Sequence, residues 1–138
     1  MRKLAVFLVA VLAVAQAPSS FQPVGNMTQL MVDVIYPTSD AIFYIERNIP
    51  QNDHDWGVLR MNALTLAESG NLLMMVPRAK DGDVWMKRSQ ELIDTGMAAW
   101  RAAEAKNVNQ LFTVGGDIDD ACSHCHQEYM DEIKNANK

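Results

Sequence analysis

The residues best equipped for chemistry stand together near the end of the chain, as Cys122-Ser123-His124-Cys125-His126. Two thiols separated by two residues and followed at once by an imidazole form the C-x-x-C-H pattern of c-type haem attachment. Each thiol can make a thioether to a haem vinyl group, and the imidazole can ligate the iron. The spacing suits an α-helix. Residues three or four apart share a face, so Cys122, Cys125 and His126 can address one planar macrocycle while His124 points elsewhere. Rival chemistries fit less well. A zinc site draws its ligands from two separate places, and beyond this cluster the chain has no further cysteine and only His54. A thioredoxin-like C-x-x-C opens a helix among alternating strands and helices, a context this chain lacks. A local disulfide, or a pair of inert buried thiols, leaves the adjacent histidine without a purpose.

The chain that must hold this motif has 138 residues, 49% of them apolar, enough for one core in one domain. Residues 1–17 read as a cleaved signal peptide: Arg2 and Lys3 give a charged start, Leu4 to Val14 an apolar run, and Ala15-Gln16-Ala17 a small-x-small cleavage pattern. The run is shorter than the roughly 20 residues that span a bilayer, and no later stretch is long enough to do so. Residues 18–138 are then the mature, exported chain, placed in the periplasm, where bacterial c-type haem is attached. Oxidising surroundings favour a disulfide between paired cysteines; haem thioethers would consume both thiols instead. Losing Arg2 and Lys3 from 12 basic residues leaves 10 against 17 acidic ones, a net charge near −7. Such a balance argues against nucleic acid as a partner and suits basic redox partners.

Four helices must position the motif. After an irregular lead-in over residues 18–25, the first runs from an N-cap at Asn26 to about Arg47, with Met27, Met31, Val34, Ala41 and Ile45 on one face. Pro37 kinks or splits it. Residues 48–52 are a loop, and Asp53 or Asp55 caps the second helix. There Trp56, Leu59, Ala63, Leu66, Gly70 and Leu73 recur at three and four, the seam of closely aligned helices. Ala63 and Gly70 are small enough for a backbone or a flat cofactor to come near. Residues 77–82 form the second loop. Asp83 caps a third helix that reaches about Lys106, with Trp85, Leu92, Ile93, Met97 and Trp100 as its apolar face. The last helix covers roughly Val108 to Lys134, reading through Gly115-Gly116 despite a cost of up to about 1 kcal/mol per glycine. Its stripe of Leu111, Val114, Ile118, Cys122, Cys125 and Tyr129 turns both thiols towards the core. Four such helices with short loops specify an all-α fold, an antiparallel up-down-up-down four-helix bundle, which builds cofactor sites between facing helices.

With these elements in place the chain resembles the class II cytochromes c, meaning cytochrome c-prime and its low-spin relatives. The likeness rests on Cys122-Ser123-His124-Cys125-His126 with Tyr129 after it, the helical pattern before it and Leu30-Met31 in the first helix, and it spans essentially the whole mature chain. The position of the motif near the C-terminus separates this class from class I, where it lies near the N-terminus. The resemblance implies one covalent haem c, with Cys122 and Cys125 as thioethers, His126 as the proximal iron ligand and a first-helix residue over the other face. In low-spin members that residue is a methionine. Met31 is the candidate and Met27, one turn earlier, the second choice. Arg78 in the second loop is a candidate propionate partner, since guanidinium matches carboxylate geometry. His54, at a helix start, reads as exposed.

The implied function is a monohaem electron carrier with no catalytic residues of its own, cycling Fe(III)/Fe(II) between periplasmic or membrane-bound redox partners. An open distal site would instead make a binder of nitric oxide or carbon monoxide. Relatives pair through their first helices, which implies a homodimer.

Overall fold

A computed structural model of the chain describes the backbone of residues 21–136 and side chains up to Met130. The leader expected over residues 1–17 lies outside the described residues. The first helix begins where the sequence offers a cap. Asn26 Oδ1 accepts from the Gln29 N–H at 2.9 Å, and Gln29 Oε1 accepts from the Asn26 N–H at 2.9 Å, a reciprocal capping box. From there α1 occupies residues 27–43 in three registers: Met27–Gln29 is α-helical, Leu30–Ile35 is π-helical and Tyr36–Phe43 is α-helical again.

Pro37 accounts for the middle register. It has no N–H to donate, and its ring clashes with the carbonyl four residues back in ordinary α geometry. The wider turn, in which the Tyr36 N–H reaches the Met31 carbonyl, carries the chain past the proline without a break. The Thr38 hydroxyl then donates to the carbonyls of Val34 at 2.7 Å and Ile35 at 3.0 Å. The kink expected at Pro37 is thus taken up as a π segment. The helix ends at Phe43, a turn short of Arg47, and a turn follows over residues 44–47.

Helix α2 spans Asp53–Leu73, and its cap is Asn52 rather than Asp53 or Asp55: Asn52 Oδ1 accepts from the Asp55 N–H at 3.0 Å. Both aspartates sit inside the first turn, where carboxylates favour the positive end of the helix dipole. Every seam residue from Trp56 to Leu73 is buried. Helix α3 spans Val84–Glu104. Asp83 stands at its cap position without a capping bond, and the Asp81 carboxylate accepts from the N–H groups of Asp83 at 3.1 Å and Trp85 at 2.9 Å instead. Its buried face is Trp85, Ser89, Leu92, Gly96, Ala99 and Ala103, while Ile93, Met97 and Trp100 lie half-buried on the flank. Helix α4 spans Val108–Ala136, opens with the Asn107 side chain accepting from the Gln110 N–H at 3.0 Å, and passes Gly115-Gly116 unbroken.

The described residues are therefore all-α, four helices with no strand. Helix α2 packs on α3, α3 on α4, and α1 against both α2 and α4. None of the described helices is long and apolar enough to cross a membrane.

One polar junction ties three helices together close to the cysteine motif. The Trp85 indole N–H donates to the Leu73 carbonyl at 2.9 Å, its ring meets Tyr129 edge-on with centroids 4.9 Å apart, and the Tyr129 hydroxyl donates to the Asp81 carboxylate. That bond, with help from the Trp85 N–H, holds the Asp81 carboxyl below its usual range, while burial and the Asp81 bond push the Tyr129 hydroxyl up. The Asp81 contribution is present above the unfolded aspartate value near 3.9 and is lost as pH falls through its lowered folded value. The Tyr129 contribution is fully present below the unfolded tyrosine value near 10 and is lost as pH rises through its raised folded value. Tyr129→Phe keeps the aromatic contact and removes the bond. It should lower the urea midpoint at neutral pH and flatten the fall of that midpoint in acid, both read from urea titrations across pH.

Candidate functional site

All four helices contribute to one cleft. Helix α4 supplies Cys122, Cys125 and His126 with Ala121 beside them; α1 brings Met31 and Ile35; α2 adds Leu73, and α3 adds Arg88 and Leu92. On α4, Cys122 and Cys125 are half-buried, His126 lines the same cleft from an exposed position, and His124 is exposed and outside it. The two methionines separate. Met31, half-buried in the π segment, lines the cleft, whereas Met27 packs against the core and does not.

Burial sets the state of the sulfurs. It pushes the Cys122 thiol up, helped by the charge of Asp119, and drives Cys125 up to about 11, with smaller contributions from Cys122 and Glu128. Both are neutral thiols at neutral pH. A dithiol redox centre relies on a lowered thiol pKa, so its chemistry is poorly served here. Nor do three or more His, Cys, Asp or Glu side chains converge as a metal cage among the described residues, which leaves a bare zinc ion without a ligand set.

Arg78 stands elsewhere. It donates from Nη2 to the Gly25 carbonyl at 2.7 Å and from Nη1 to the Leu72 carbonyl at 3.2 Å. It lines a separate cavity of about 390 Å³ that it shares with Leu30, Asp33 and Met75. His54 is exposed in the first turn of α2, beside another hollow formed with Ile49 and Val58. Compared with known proteins, the chain matches no family model, no curated protein and no solved structure.

Sequence reasoning missed Arg88. Its Nη1 reaches both Glu91 carboxylate oxygens, at 3.0 and 2.9 Å, and its Nη2 reaches Glu128 at 2.7 Å. Among the described residues the Nε–H is buried with no acceptor, as is that of Arg78. The available signal was position: Arg88 falls between Trp85 and Leu92 along the buried stripe of α3, where a charge is out of place without a partner.

What the cleft can hold follows from its donors. Two neutral thiols and an imidazole on one helix, a thioether on another, an unanswered N–H and the apolar walls Ile35, Leu73 and Leu92 are groups of the types that a c-type haem would use. Free space is only about 30 Å³, room for about two waters. Any planar cofactor would therefore have to open the cleft by rotating lining side chains. Met31 and Arg88 are the flexible members of the wall, while the two cysteines and His126 share one rigid helix.

Proposed function

We propose that this protein is a periplasmic monohaem c-type cytochrome of the class II kind, an electron carrier on an up-down-up-down antiparallel bundle. The observation that carries the reading is that Met31 lines the same cleft as Cys122, Cys125 and His126, so that a thioether from α1 and an imidazole from α4 serve one pocket. The antiparallel arrangement draws support from opposed pairings. A Cβ on Gly70 would meet Ser89 and Ile93, and one on Gly96 would meet Ala67; Trp85 contacts Tyr129 and Arg88 pairs with Glu128.

In this reading Cys122 and Cys125 would hold the cofactor covalently, and His126 would ligate its iron. Met31 would be the second protein ligand, closing the site to external ligands and favouring a higher potential. Haem, when bound, supplies the one-electron Fe(III)/Fe(II) couple. Ile35, Leu73 and Leu92 keep water from the pocket. No group on the chain acts as acid, base or nucleophile in such a carrier. The acidic mature chain favours basic patches on periplasmic or membrane-bound redox partners, and Val32, Tyr36 and Phe43, exposed on α1, support pairing of two copies along that helix.

Expression with the leader in a bacterium that attaches c-type haem tests the reading. The denatured chain should retain covalent haem, and Cys122→Ala with Cys125→Ala should lose it completely. The ferrous absorption spectrum should be low-spin and unmoved by carbon monoxide. A chain without covalent haem overturns the cytochrome. A high-spin spectrum that shifts with the gas replaces the closed carrier by a binder of nitric oxide or carbon monoxide.

A further inference from the structure

We propose that Arg88, in the role the sequence suggests for Arg78, anchors a haem propionate and raises the reduction potential of the site. The inference rests on the haem reading above and adds a residue to it. Arg88 lines the cleft beside Cys122, Cys125 and His126, and among the described residues its Nε–H is buried without an acceptor. A buried guanidinium N–H left unpaired is costly, so the position calls for an acceptor that enters the cleft, and a carboxylate is the acceptor whose geometry a guanidinium matches best.

The present partners of Arg88 leave room for that exchange. The Glu91 pair joins residues three apart on one helix and keeps partial contact with water, the kind of ion pair that contributes little. The Glu128 pair crosses from α3 to α4, two residues beyond His126, and fixes the arginine against the helix that carries the motif. A propionate can therefore take up Nε–H and displace Glu91 while Glu128 keeps the side chain aimed. Arg78 also has a buried Nε–H with no acceptor among the described residues, but it lines a different cavity that holds neither cysteine nor His126, and its Nη atoms are committed to the Gly25 and Leu72 carbonyls. The sign of the effect on the iron follows from charge. A fixed cation at the cofactor edge, and a donor that draws charge from the propionate, both disfavour the more positive ferric state, so Arg88 raises the potential.

The test compares haem-loaded wild type, Arg88→Gln, Arg88→Lys and Arg78→Gln by three readouts: covalent haem on the denatured chain, midpoint potential, and the propionate bending band of the resonance Raman spectrum. All four proteins should carry covalent haem. Arg88→Gln should shift the potential to a lower value and move the propionate band. Arg88→Lys, which keeps the charge without the fork, should hold the potential closer to wild type while still moving the band; this variant decides the matter if the glutamine variant folds poorly. Arg78→Gln should leave both unchanged. Absence of haem from wild type sinks the haem reading itself. Haem present in every variant, with the band unmoved in both Arg88 variants or moved in Arg78→Gln, sinks the role of Arg88 and leaves the haem reading standing.

Discussion

If the protein carries haem as proposed, Met31→Ala should turn the iron from low-spin to high-spin and open it to carbon monoxide. Met31 is the methionine that lines the cysteine cleft among the described residues, and alanine leaves no donor in its place. Folding should survive the change. Full burial of a methionine would cost about 2–5 kcal/mol on truncation to alanine, and Met31 is only half-buried, so a loss of about 1–2 kcal/mol is expected. Met27→Ala is the matched control: it removes a core contact one turn away and should leave the spectrum low-spin. Ferric and ferrous absorption spectra with a carbon monoxide titration distinguish the outcomes. A low-spin spectrum in Met31→Ala that disappears in Met27→Ala moves the ligand to Met27. A spectrum unmoved in both variants removes methionine from the iron.

The register of α1 gives this prediction its physical interest. A straight α-helix keeps Met27 and Met31 on one face one turn apart, and residue spacing alone offers little to choose between them. The six π-helical residues, Leu30–Ile35, begin just before Met31 and change the angular step along the helix, so the two side chains no longer share one destination. Pro37 was legible as a disturbance of the helix; that the disturbance would be absorbed upstream, as a widened turn with Thr38 bonded back to Val34 and Ile35, was not. Local propensity announces a missing N–H at proline. It does not say which of a kink, a break or a π turn the surrounding packing will select.

The same division runs through the rest of the chain. Large apolar residues at regular spacing were readable, and the α2 seam from Trp56 to Leu73 is buried throughout. On α3 the size criterion misled, because the face that packs is built largely from Ser89, Gly96, Ala99 and Ala103, with Met97 and Trp100 displaced to its flank. Small residues carry little hydrophobic signal yet permit the closest approach, so a helix chosen for tight contact hides its face from a count of bulky side chains. Capping showed a related ambiguity: Asn52, Asp53 and Asp55 are all competent acceptors, and only backbone geometry selects Asn52. At the site, the cysteines and His126 are close in sequence and share a face of α4, whereas Met31 reaches the cleft from α1. Arg88 joins them from a third helix, a tertiary coincidence that no local spacing records.

Gly96→Ala should destabilise the protein by about 1–3 kcal/mol, the range for overpacking a well-filled core, even though alanine is the better helix former by about 1 kcal/mol. A Cβ at residue 96 would sit 2.7 Å from the Ala67 backbone nitrogen and 2.8 Å from its Cα. Those atoms cannot rotate aside, so α2 and α3 must move apart. Gly70→Ala presses on the same contact from the other helix, its Cβ falling 2.7 Å from the Ser89 carbonyl oxygen and 2.5 Å from Ile93 Cγ1. Gly116→Ala is the opposite case: nothing lies within 4 Å of its Cβ and its backbone is not left-handed, so propensity acts alone and stability should rise by up to about 1 kcal/mol. Urea midpoints of the three variants test the pattern, and a Gly96→Ala protein as stable as wild type would mean that α2 and α3 do not approach so closely. The effect should reach the site. Leu73 and Leu92, each about a turn from Gly70 and Gly96 respectively, wall the cleft, so spreading α2 from α3 should admit water to it.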